Sequence, residues 1–147
     1  MEAEARLERY RFLDHTADAK FEAFGATLEE AFGNAALAVA SVMWDWSRVG
    51  RRTRIPVEVS GPDRERLLLD FLEEVLYLLD TRGFLLAGVE NVGIREDGGS
   101  WRLSADFLGD ADPDRYEITG EVKAVTLNEM RVATGPGGAS VRVVIDL

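Results

Sequence analysis

The chain predicts an α+β fold, with two helices packed on a mainly antiparallel sheet in a single domain. Two observations lead there. Apolar residues recur at helical spacing in two stretches, both before Gly83. After Gly83 the texture changes to short apolar segments separated by turn signals, Asp97-Gly98-Gly99-Ser100 and Gly135-Pro136-Gly137-Gly138. That is the pattern of strands meeting in hairpins. The order of elements does not suit a doubly wound parallel sheet.

Taken in order, residues 10–13 read as a short first strand. Residues 19–24 alternate small or polar with aromatic, the period of a half-buried strand, and Gly25 ends it. Thr27-Leu28-Glu29-Glu30 is a capping box, in which the Thr27 hydroxyl accepts from the Glu30 amide while Glu30 reaches back. The helix it opens carries Leu28, Phe32, Ala35, Ala36, Val39, Val42 and Met43 on one face and runs to about Met43 or Asp45. Its alanines permit close approach by another element. A loop over residues 44–52 leads to an alternating strand at 55–59, where Pro56 indicates a sheet edge. Gly61-Pro62-Asp63 starts the second helix, with Pro62 and Asp63 suited to its first turn. Leu67, Leu68, Phe71, Leu72, Val75, Leu76 and Leu79 form its buried stripe. Strands are expected over residues 84–94, 101–107, 116–126, 130–133 and 141–146.

Composition narrows the function. A chain of 147 residues with 46% apolar and 30% charged residues makes one globular domain with a real core. Residues 1–9 are charged and helix-prone, and are expected to form a loosely ordered extension, not a signal peptide. No apolar run reaches the roughly 20 residues of a membrane span, so no membrane partner and a cytoplasmic location are expected. With no cysteine and a single histidine, thiolate sites, disulfides and zinc sites needing two imidazoles are excluded. A net charge of −10 argues against direct, non-specific nucleic-acid binding, and favours a cation or a basic protein as partner. Simple solubility would explain the charge equally well.

Six positions could carry chemistry. Asp14 and Asp18 flank His15 near the first residues that look folded, and Asp146 lies one residue from Leu147 and its carboxylate. Chain ends of a compact domain often meet at its surface, which would build an oxygen-rich corner from these groups. Adjacent negative groups repel unless something positive sits between them. All-oxygen ligation selects calcium or magnesium, or less exclusively manganese. Each aspartate read alone is a cap or turn residue. His15 could act as a base, although a lone histidine more often shapes a turn. Lys123 falls in Glu121-Val122-Lys123-Ala124-Val125-Thr126, where alternation puts Glu121, Lys123 and Val125 on one face. Its plain reading is a solvated strand lysine.

The runs Phe12-Leu13-Asp14-His15-Thr16-Ala17-Asp18, Leu28-Glu29-Glu30-Ala31-Phe32, Glu121-Val122-Lys123-Ala124-Val125-Thr126 and Val143-Val144-Ile145-Asp146 resemble the archease family in order and spacing. So does Gly109-Asp110-x-x-Pro113-x-Arg115, and the resemblance covers residues 10–147. It departs at Leu127-Asn128, where the family commonly has an aromatic residue followed by histidine. The resemblance implies a non-catalytic activator of an RtcB-class RNA ligase, which joins transfer RNA halves in splicing and attaches GMP to one of its own histidines. It implies promotion of that guanylylation and of multiple turnover, with transfer RNA contacted only through the ligase. It also implies a divalent cation, calcium first, held by Asp18, Asp146 and Leu147, and a functional role for Lys123. Two rival readings remain on the residues alone. One is a stand-alone metal-assisted phosphoesterase using His15; the other is a chaperone-like adaptor with a structural cation.

Overall fold

The computed structural model describes residues 8–14 and 18–147. His15, a candidate from the sequence, lies outside the described residues. Most of the expected extension does too, although Arg9 is tied to the fold: its carbonyl accepts from the Phe24 amide at 2.9 Å and its guanidinium donates to Asn34 at 3.2 Å.

The strands are β1 (Tyr10–Leu13), β2 (Ala19–Gly25), β3 (Thr53–Gly61), β4 (Leu85–Asp97), β5 (Ser100–Asp110), β6 (Ala124–Gly135) and β7 (Gly138–Asp146). The helices are α1 (Leu28–Met43) and α2 (Arg64–Arg82), with 3-10 turns at Trp46–Arg48 and Pro113–Arg115. Every strand pair is antiparallel, and the strands divide between two sheets, ordered β1-β2-β7-β6 and β3-β5-β4. The expected α+β arrangement is the one that forms. β3 is an edge strand, as Pro56 requires, since proline has no N–H for a second ladder.

Helix α1 starts where its capping box lies. Thr27 Oγ1 accepts from the Glu30 amide at 3.1 Å, while Glu30 reaches back one residue further than the usual box, to the Ala26 amide at 2.6 Å. The alanines at 31, 35, 36, 38 and 40 are fully buried because α1 touches β2 and β7 of one sheet and β4 of the other. Its apolar face therefore wraps most of the way round, beyond the single stripe that the spacing predicts. Helix α2 keeps a one-sided stripe and packs on β3 and β6. Asp63 is its N-cap rather than part of its first turn, accepting from the Arg66 amide at 2.7 Å. Gly83, with φ +63°, closes the C-terminus. Phe71 joins the layers, its ring 6.3 Å from that of Phe32 on α1 and 5.4 Å from that of Phe107 on β5.

Two expectations about the late strands are corrected. Residues 116–123 form no strand, and β6 begins only at Ala124. The break expected between 126 and 130 is instead a bulge inside one strand. Between the pairs Thr126–Val144 and Arg131–Arg142, β6 places four residues, 127–130, against Val143 alone on β7. Glu129 adopts φ +56° there, and the chain stays in the sheet.

Candidate functional site: a sheet end built from three strands

The start of β2, the end of β7 and the start of β6 lie side by side. Ala19 faces Ile145 in the β2–β7 ladder, and Ala124 faces Asp146 in the β6–β7 ladder. One step outward from Ala19 and Ile145 are Asp18 and Asp146. Phe21, Val143 and Ile145 are fully buried, so side chains alternate with them onto the outer face, where Asp18 and Asp146 belong. Ala19 and Ile145 are the last paired positions of this ladder, so Asp18 and Asp146 stand at neighbouring strand ends, where two carboxylates brought close repel. Asp146 is exposed and Asp18 half-buried. Leu147 is 44% exposed, and Asp14 is exposed just beyond β1.

Lys123 reaches this end by a different route from the one its sequence suggests. Its amide donates to the Asp146 carbonyl at 2.8 Å, one residue before β6 begins, and it is exposed. The strand-like alternation does not hold, because Val122 and Val125 are both buried. The segment from Tyr116 to Lys123 is a strap tied down by scattered bonds. The Tyr116 hydroxyl donates to Asp110 at 2.6 Å and accepts from the Gly50 amide at 3.1 Å. The Thr119 amide donates to the Met43 carbonyl at 2.8 Å, satisfying an orphan acceptor at the C-terminus of α1. Gly120 crosses so close that a Cβ there would lie 2.3 Å from the Val42 carbonyl oxygen. The Glu73 carboxylate of α2 then accepts from the Val125 amide at 2.9 Å and starts β6.

The anchoring residues Asp110, Tyr116 and Gly120 were not singled out as functional from sequence. Asp110 is 5% exposed, unusual for a carboxylate, and its partners are Tyr116 and, at 3.7 Å, Arg52. At Gly109 before it, a Cβ would lie 2.0 Å from the Leu85 carbonyl oxygen, so only glycine fits. The Gly-Asp pair at a strand end was the available signal.

Among the described residues no group of three or more histidine, cysteine, aspartate or glutamate side chains stands close enough to hold a metal ion. Asp18 and Asp146 thus offer two carboxylates, and a calcium shell needs about six to eight oxygens. The donors are all hard oxygens, which suits a hard cation whose other positions go to main-chain oxygen, water or a partner's ligand.

Comparison with known proteins bears on what such a sheet end is for. The Archease protein family matches residues 10–147. The chain belongs to the archease family. The archease of Methanosarcina mazei is 38% identical over 141 residues, covering 95% of this chain and 97% of that protein. The archease of Pyrococcus furiosus is 38% identical over 133 residues, covering 90% and 93%. The solution structure of Methanobacterium thermoautotrophicum Protein 1598 superposes with a TM-score of 0.80 at 38% identity, covering 95% of this chain and 99% of that one. An archease from Thermotoga maritima, described as a possible chaperone, shares the fold with a TM-score of 0.50 at 17% identity, covering 92% and 94%. Among the described residues of this archease, no helix is long and apolar enough to cross a membrane.

Proposed function

We propose that this chain is a non-catalytic protein cofactor of an RtcB-class RNA ligase, promoting attachment of GMP to the ligase and hence multiple turnover in transfer RNA splicing. The observation that carries the reading is the convergence of Asp18, Asp146 and Lys123 on one sheet end, through strands far apart in sequence. The resemblance of its motifs to the archease family is what suggests the partner.

In this reading the sheet end docks at the nucleotide site of the ligase. Its acidic groups complement a basic cleft, which raises encounter rate and fixes orientation. Asp18, Asp146 and a Leu147 oxygen would hold a divalent cation, calcium first and magnesium or manganese next. Such an ion supplies positive charge beside phosphate oxygens. Lys123 sets its ammonium at the same place to offset phosphate charge during GMP transfer. The Asp110–Tyr116 bond and the Gly120 crossing fix the strap that presents it. The location is the cytoplasm, and at this sheet end the transfer RNA is reached only through the ligase.

Ligation time courses with RNA in excess over the ligase test the reading. Adding this protein should convert a single burst into sustained product formation. A course unchanged by a stoichiometric amount of folded protein would refute it.

A further inference from the structure

The outer face of the three-stranded sheet carries a second polar site, in the other sheet from Asp18, Lys123 and Asp146. Arg95 on β4 and Arg102 on β5 are directly opposed partners. Leu103 is buried and Ile94 half-buried, so the two arginines share the outward side. Like charges placed directly opposite each other destabilise a sheet unless an anion lies between them. Arg102 meets Asp97 only at 3.9 Å, and Arg95 has no ion pair or hydrogen bond among the described residues.

A groove of about 440 Å³ lies beside the pair. Gly93 and Ser104, themselves opposed partners, form its floor, and Ser60 stands opposite Arg102 and Glu58 opposite Ser104. The hydroxyls of Ser60 and Ser104 have no hydrogen-bond partner among the described residues. Gly93 leaves the floor open: a Cβ there would meet only the Ser104 hydroxyl oxygen, at 3.6 Å.

These groups select the ligand chemistry. Two guanidinium forks and two hydroxyls suit a phosphate. Glu58 on the same floor repels a second anion, which disfavours a carboxylate-rich peptide, yet it accepts readily from a hydroxyl. A ribonucleotide unit carries a phosphate and a 2′-hydroxyl together. We infer that the Arg95–Arg102 groove binds a ribose-phosphate unit, with the arginines on the phosphate and Glu58 on the 2′-hydroxyl. The unit belongs to an RNA strand or to a free ribonucleotide. The surrounding charge of −10 confines contact to this groove and keeps binding weak. This assignment is independent of the ligase reading.

Titration of isotopically labelled full-length protein at low salt tests it, following the amide signals of Gly93, Arg95, Arg102 and Ser104. The probes are a short oligoribonucleotide, the matching oligodeoxyribonucleotide, a ribonucleoside 5′-monophosphate and inorganic phosphate. The oligoribonucleotide should shift these signals and bind more tightly than its deoxy counterpart. If the monophosphate matches it, the source is a free nucleotide; if the strand is clearly tighter, the source is RNA. Combining Arg95→Gln with Arg102→Gln should weaken binding about tenfold or more, the loss expected for charge-assisted contacts. Glu58→Ala, which removes the acceptor, should erase the preference for ribose. Gly93→Leu, whose Cβ would meet only the Ser104 hydroxyl, should fill the groove and block binding while the melting temperature holds. Shifts scattered away from the groove, binding unaltered in the double variant, or no response to any ribose-containing probe would overturn the assignment.

Discussion

Lys123 donates its main-chain amide to the main-chain carbonyl of Asp146 at 2.8 Å, so backbone alone joins the lysine and the aspartate. Their side chains are both exposed and hold nothing of the core together. Lys123→Ala should therefore leave stability within about 0.5 kcal/mol of the parent, as surface changes do. The same variant should lose sustained ligation in the presence of the ligase. A matched melting temperature with lost turnover separates function from folding.

Tyr116→Phe removes the hydroxyl that donates to Asp110 and accepts from Gly50. It leaves a carboxylate only 5% exposed with Arg52 as its remaining partner. A buried polar group stranded in this way costs about 1–3 kcal/mol. Urea denaturation should show a lower midpoint at unchanged slope.

Gly120→Ala pushes a methyl against the Val42 carbonyl, where contact would close to 2.3 Å. The strap must lift away from the end of α1, with an expected destabilisation of about 1–3 kcal/mol, typical of overpacking. Because the strap carries Lys123, ligase activation should fall more than Tyr116→Phe would make it fall at equal stability. Activation that falls no further in Gly120→Ala than its loss of folded protein accounts for would show that the crossing does not position the lysine.

Burial, and secondarily the neighbouring Asp70 charge, raises the carboxyl of Glu74 above its ordinary value of 4.5. A raised folded value means that the protonated form suits the fold better than the unfolded chain. Glu74 therefore favours folding at acid pH, and that contribution is lost as pH rises through the raised value. Glu74→Gln should stabilise the protein at pH 7, with the gain shrinking as pH falls through the raised value and gone below the ordinary glutamate value. Denaturation midpoints measured at pH 7 and pH 4 give the comparison.

Local patterns were legible from the residues, and long-range pairings were not. Thr27 and Glu30 mark the start of α1, and Gly83 marks the stop of α2, because caps are decided within a few residues. Residues 121–126 look like a strand, yet a strand extends only as far as its partner. β7 ends at Asp146 opposite Ala124, so Lys123 takes its last carbonyl and residues 116–122 must find other partners. The β6 bulge had no glycine to announce it, since Glu129 takes the left-handed conformation itself. The two sheets could not be separated from alternation alone, because each strand alternates in the same way. For the candidate site, the sequence supplied the residues and the expectation that distant acidic groups share a corner. The β2–β7 and β6–β7 registers supply their arrangement.

Calcium titration by calorimetry on the parent, Asp18→Asn and Asp146→Asn tests most directly whether Asp18 and Asp146 share one ion. The account predicts a single saturable site in the parent, with binding lost or weakened about tenfold or more in each variant separately, as when a ligand to one ion is removed. Undiminished binding in both variants would contradict it.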